Sequence, residues 1–191
     1  APTFGDIFHN TMEKIYKDFV GRGEICDSHL SSIKKEDIKR WVEEEFKERF
    51  FKNSQVDFSG VQLVAINAMV EFVDKMVRYD KKYETPFRII GLEKEVLHTL
   101  PISLENGKIV QIQMGGRIDR IDEKAGAIIV KDYKTGGTPE KFNSISTIFE
   151  MGQSKFQYNR QILLYAYLFA KQEEKSNIKA SIIYLNAEES K

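Results

Sequence analysis

A chain of 191 residues is enough for one domain, or one domain carrying an insertion, and its 41% hydrophobic content, with 13 Phe and 8 Tyr, can fill a core. Its 29 basic and 29 acidic residues cancel, which argues against a freestanding electrostatic binder of nucleic acid. The single cysteine, Cys26, excludes an intramolecular disulfide and fits a reducing cytosol, and no stretch reads as a membrane span or as the apolar core of a signal peptide.

The first predicted helix covers residues 3–20, where Phe4, Ile7, Phe8, Met12, Ile15, Tyr16, Phe19 and Val20 recur at helical spacing and His9 sits at the edge of the stripe. Gly21 and Gly23 punctuate a polar loop to about Ser32, in which Cys26 reads as a loop or packing residue. A second helix over 35–51 offers Ile38, Trp41, Val42, Phe46 and Phe50 to the core, and Glu43, Glu44, Glu45, Lys47 and Glu48 to solvent. A third, over 61–82, is rich in Val, Ala and Met and reads as well buried, with Pro86 closing the helical half.

Strands follow. Residues 88–104 form an extended stretch interrupted by Pro101, and Asn106-Gly107 is a strong turn signal leading into 108–114. Gly115-Gly116 reads as a bulge where backbone approaches a metal or a nucleic acid. Two β-branched-rich runs, 117–122 and 127–133, flank Glu-Lys-Ala-Gly and are predicted as a hairpin. Gly136-Gly137-Thr138-Pro139 opens a loop through Gly152, after which a helix over 154–173 and a strand over 178–185 are predicted. The sequence has no internal repeat, no low-complexity tract and no G-x-x-x-x-G-K-[ST] phosphate loop.

The hairpin carries the chemistry. Alternation along its second strand puts Asp132 and Lys134 on one face with Ile128 and Val130, and Lys131 and Tyr133 on the other. Pairing around the turn brings Asp119 close to Asp132, where two carboxylates repel unless a cation bridges them. Hard oxygen ligands of this kind suit Mg²⁺ or Mn²⁺, the Tyr133 carbonyl can complete the shell, and the Lys134 ammonium alongside suits hydrolysis of a phosphodiester. The plainer alternative is a solvated hairpin of alternating charges.

Three motifs together are more specific: Gly116-Arg117-Ile118-Asp119-Arg120 with Asp132-Tyr133-Lys134-Thr135-Gly136, Gly5-Asp6-Ile7-Phe8-His9 on the first helix, and Gln161-Ile162-Leu163-Leu164-Tyr165 on the late one. Taken in chain order, from residue 5 to residue 165, they resemble the PD-(D/E)XK nuclease superfamily, and more narrowly its RecB-like branch. The resemblance implies a restriction-endonuclease-like α/β fold with an αβββαβ core and additional helices inserted after the first helix. It also implies one nuclease domain over residues 1–191, with a helical insertion at about 34–84, excised from a longer helicase–nuclease.

By that resemblance His9, Asp119 and Asp132 are metal ligands together with the Tyr133 carbonyl, Lys134 is catalytic, and Gln161 and Tyr165 position the DNA backbone. Arg117 and Arg120 are candidate phosphate contacts, and Glu95 could support the site from behind. The implied function is a Mg²⁺- or Mn²⁺-dependent deoxyribonuclease, an exonuclease of a bacterial cytoplasm working with a helicase in recombinational repair; a histidine in the ligand set favours Mn²⁺. A four-cysteine iron–sulfur cluster, which some RecB-like relatives carry, is beyond a chain with one cysteine. Two other readings stay open: an inactive nuclease-like domain that binds DNA or a partner, and a structural domain whose hairpin charges are incidental.

Overall fold

The apolar stripe at the start of the chain forms helix α1 (Phe4–Tyr16), burying Ile7, Phe8, Thr11, Met12, Ile15 and Tyr16. In this computed structural model residues 4–52 and 57–185 are described, so a helix start at Thr3 lies outside the described residues. A short 3-10 segment, Lys17–Phe19, replaces the end of the predicted helix, and Val20 stays exposed. Helices α2 (Asp27–Ser31), α3 (Lys35–Phe51) and α4 (Val61–Tyr79) then intervene before the first strand. Helix α3 starts and stops where its periodicity does. Helix α4 is less buried than its composition suggests: Ile66, Met69, Val70, Val73, Met76 and Val77 face the core, but Val61 and Val64 near its start are open to solvent. It ends in a π-helical turn, Asp80–Glu84.

Strands β1 (Arg88–Ser103), β2 (Ile109–Lys124), β3 (Ala127–Lys134) and β4 (Ile178–Tyr184) form one sheet in that order. The first three are antiparallel neighbours, and β4 runs parallel to β3. A parallel partner needs a crossover, which the loop with α5 (Ile145–Phe149) and helix α6 (Gln157–Gln172) provide. The sequence helix, three strands, helix, strand is the restriction-endonuclease-like core, with α2 to α4 added after its first helix. Pro101 does not interrupt β1, because β1 is an edge strand and a missing amide there breaks no ladder.

Turn chemistry sets the registers. Ala125 and Gly126, with φ of 50° and 75°, make the two-residue turn between β2 and β3. Gly107, at φ 76°, closes the longer turn between β1 and β2, where Leu104 and Lys108 are joined by a backbone hydrogen bond. No bulge occurs at Gly115-Gly116. The register there is unbroken, and the irregularity lies between Ile89 and Gly91 instead.

Helices cover both faces. One core joins α1, α3 and α4 to Phe87, Ile89 and Tyr133 of the sheet side, and a second joins α6 to Val96, Ile118, Ile121 and Val130. Ile118 and Ile121 share the α6 core although they are three residues apart, which strict alternation forbids. Across from this segment on β1, Glu93 has a positive φ of 47°, and the paired register passes from Leu92–Arg120 to Lys94–Ile118 without Glu93 and Asp119. The alternation resets there, and Asp119 falls on that step.

Candidate active site

The site forms where β2 and β3 part. Their last backbone pair is Arg120 with Lys131, while β3 continues alongside β4 to Lys134. In the gap the Asp119 side chain substitutes for a strand: its Oδ2 accepts the backbone N–H of Tyr133 at 2.7 Å. The next amide, at Lys134, belongs to the β4 side, since Lys134 carbonyl accepts from Leu185 N–H at 3.0 Å. Successive peptide groups of a strand point to opposite sides, so the Tyr133 carbonyl faces the gap with its N–H.

Helix α1 brings His9 to the same gap. Its Nδ1 lies 3.2 Å from Asp119 Oδ1 and 3.8 Å from Glu93 Oε1. The helix is held there by edge-on contacts of Tyr133's ring with Phe8, at 5.5 Å between centroids, and with His9, at 6.1 Å. Tyr133 therefore orients Asp119 through its backbone and His9 through its ring.

On the α6 side, Lys134 Nζ lies 2.7 Å from Asp132 Oδ2, an ion pair without an aligned hydrogen bond, and donates to Gln161 Oε1 at 3.1 Å. Gln161 Nε2 in turn donates to the Tyr165 hydroxyl at 3.0 Å. The tyrosine needs room, and Gly116 gives it: a Cβ at that position would fall 2.3 Å from Tyr165 Cε1. That close approach of a side chain, not a bulge, explains the glycine. The ammonium also stands over the Tyr158 ring, 4.7 Å from its centroid. These groups, with Arg117, line a cleft of about 550 Å³, a size that accepts a small ligand unit.

Crowded acids raise one another. Burial and then the charge of Asp119 push the Asp132 carboxyl up, with Lys134 pulling the other way. Burial and Asp119 likewise raise Glu93, opposed by Arg117, whose Nε lies 2.9 Å from Glu93 Oε2, and by His9. For His9, burial opposes the imidazolium, but the hydrogen bond and charge of Asp119, with Glu93 and Asp132 behind, outweigh it and hold the pKa above its ordinary value. Such a cluster stores repulsion that a bound cation relieves.

The donor set fits a divalent ion. Ligand atoms of His9, Glu93 and Asp119 all lie within 4.8 Å of one another, close to the separation of roughly 4 Å between ligands on opposite sides of a small divalent ion. One imidazole among carboxylates suits Mn²⁺ or Mg²⁺.

A PD-(D/E)XK nuclease superfamily profile matches residues 1–191. The chain belongs to this superfamily. No curated protein matches it significantly. For a PD-(D/E)XK nuclease, the acid-lined cleft at the diverging strands is the candidate centre, and the structure brings His9, Asp119, Asp132, Tyr133, Lys134, Gln161, Tyr165 and Arg117 to it.

Two sequence candidates lie elsewhere. Arg120 is fully buried, its guanidinium paired with both Asp122 oxygens at 2.7 Å and with Asp80, donating to the Tyr133 hydroxyl at 3.1 Å, and packed between the rings of Tyr16 and Phe87. It cannot reach a phosphate. The reset of alternation at Asp119 turns Arg120 into the helical core. Glu95 is exposed beside Arg117 on the ribbon, and Glu93 holds the place behind Asp119 that Glu95 was expected to take. Both glutamates are odd-numbered on one strand, so alternation alone does not separate them; the positive φ at Glu93 does, and no residue type in the sequence signals it.

Proposed function

We propose that this nuclease-superfamily chain is a Mg²⁺- or Mn²⁺-dependent deoxyribonuclease of RecB-like type. In this reading residues 1–191 are one nuclease domain of a longer, cytoplasmic helicase–nuclease, with residues 34–84 as a helical insertion, degrading DNA from ends in recombinational repair. The observation that carries the chemistry is the meeting of His9, Glu93 and Asp119 ligand atoms within 4.8 Å, beside an ammonium fixed between Asp132 and Gln161. Among the described residues no helix is long and apolar enough to cross a membrane.

His9, Asp119 and Asp132, with the Tyr133 carbonyl and now Glu93, are the groups that would hold the ion. When bound there, it would polarise a phosphate oxygen and acidify a water. The protein's own groups do the rest. Lys134, partly buried and held by Asp132 and Gln161, presents its ammonium to the reacting phosphate and needs no reorganisation as negative charge develops. Gln161 and Tyr165 keep that ammonium in place and line the cleft where a strand would lie. Arg117, 65% exposed, remains able to exchange its Glu93 contact for a phosphate.

The test is cleavage of end-labelled linear and of circular DNA with Mg²⁺, with Mn²⁺ and with EDTA. We expect metal-dependent release of short products from linear DNA alone. Lys134→Ala is expected to bind Mn²⁺ and stay folded yet lose cleavage; full activity in that variant overturns the role given to Lys134. DNA binding without cutting under every metal would select the inactive, nuclease-like alternative.

A further inference from the structure

Helix α3, outside the αβββαβ core, reaches the cleft through one side chain, that of Arg49. The helix is docked on α1 by a buried carboxylate. Glu45, 5% exposed, accepts from Asn10 Nδ2 at 3.1 Å and pairs with Lys14 at 2.9 Å. The sequence pattern puts Glu45 on the solvated face, and the structure buries it because these two partners satisfy the charge. Arg49 follows Glu45 by one helical turn on the same face, so the clamp that seats α3 also aims Arg49.

The lysine and the other arginine of the cleft already have partners, Arg117 in Glu93 and Lys134 in Asp132 and Gln161, and a phosphate would have to displace Glu93 to reach Arg117. Arg49 is exposed and, among the described residues, makes no hydrogen bond or ion pair. Arginine in that state offers a planar fork suited to phosphate oxygens. Arg49 and Asn10 border both the cleft and a neighbouring groove between α1 and α3. In that groove Glu13 and Glu48 offset Lys14 and Lys17, so it offers no continuous basic track. A single contact, not an electrostatic path, is what this side of the cleft can supply.

We propose that Arg49 holds a backbone phosphate of the DNA strand next to the scissile position, making the added helical layer a positioning element for substrate. The proposal rests on the nuclease reading above. The role is positional: Arg49 sets where the strand lies and leaves the reacting atoms to the hairpin.

The experiment compares wild type, Arg49→Ala, Arg49→Lys and Arg78→Ala, the last removing the same charge from an exposed site on α4. Steady-state cleavage in Mn²⁺ and anisotropy of a labelled oligonucleotide in EDTA are measured over a range of salt. Arg49→Ala is expected to raise KM by about three- to tenfold with kcat little changed, and to lower the salt slope of binding by about 0.7–0.9, the loss of one phosphate contact. Arg49→Lys is expected to restore most of the slope, and Arg78→Ala to match wild type. An unchanged KM and slope in Arg49→Ala overturns the proposal, as does an equal effect from Arg78→Ala or a melting-temperature loss that accounts for the defect. A wild type that neither binds nor cuts DNA overturns it together with the nuclease reading; an active wild type with an indifferent Arg49 overturns it alone.

Discussion

Tyr133 N–H and Asp119 Oδ2 make a 2.7 Å hydrogen bond at the step where β2 leaves β3, so a carboxylate takes the place of a strand partner. Asparagine keeps an oxygen for that amide but carries no charge. Asp119→Asn is therefore expected to fold, with a melting temperature at or above wild type because the repulsion on Glu93 and Asp132 falls. Calorimetric titration should show Mn²⁺ binding abolished. Wild-type affinity in this variant would remove Asp119 from the ligand set.

Glu93 and Glu95 are two residues apart and chemically identical, which makes them a paired test. Glu93→Gln should weaken Mn²⁺ binding by roughly 10- to 100-fold, the range seen when groups around a metal centre are altered. Glu95→Gln, exposed on the ribbon, should leave it unchanged. Equal effects would contradict the geometry drawn for β1.

The pH dependence has a definite sign. His9 is held above its ordinary value, so in the metal-free protein its contribution is complete below about pH 6.5 and lost as pH rises through the raised value. Glu93 and Asp132 are also raised, and their contribution is present below about pH 4 and lost as they ionise in the fold. A cation needs all three deprotonated and competes with the proton on His9. The melting-temperature gain from Mn²⁺ should thus be larger at about pH 8 than at about pH 6. A gain that shrinks with pH would exclude His9 as a ligand.

Gly116→Ala tests the space given to Tyr165. The new methyl group meets the phenol ring at 2.3 Å, so the ring must move and its hydrogen bond from Gln161 is lost. A cost of about 1–3 kcal/mol is expected from overpacking, with reduced cleavage as Lys134 loses its ordered partner. In a Tyr165→Ala background the same change should cost almost nothing, a difference that denaturant titration of the four proteins measures directly.

Much of this was legible because it is local. The hairpin could be read from two β-branched runs and a turn, and its alternation correctly separated Asp132 and Lys134 from Tyr133. His9 and the pair Gln161 and Tyr165 stood on helices whose periodicity was clear. Arg120 was misread because its partner Asp80 comes from a π-helical turn far away in sequence, and its direction from a reset of alternation that no residue type encodes. Glu45 was misread for the same kind of reason: Asn10 and Lys14, which neutralise it, lie on another helix.

The cluster around Arg120 has a consequence for how the molecule comes into being. Tyr16 from α1 and Asp80 from the end of α4 meet Asp122, Lys131 and Tyr133 of the hairpin in one dry joint. An uncompensated charge left in such a joint costs about 3–5 kcal/mol, so its members engage together or not at all. The imidazole arrives from one side of that joint and the hairpin carboxylates from the other. Closing the joint is therefore a condition for the acid-lined cleft to form, because it is what brings the imidazole and the carboxylates to one place.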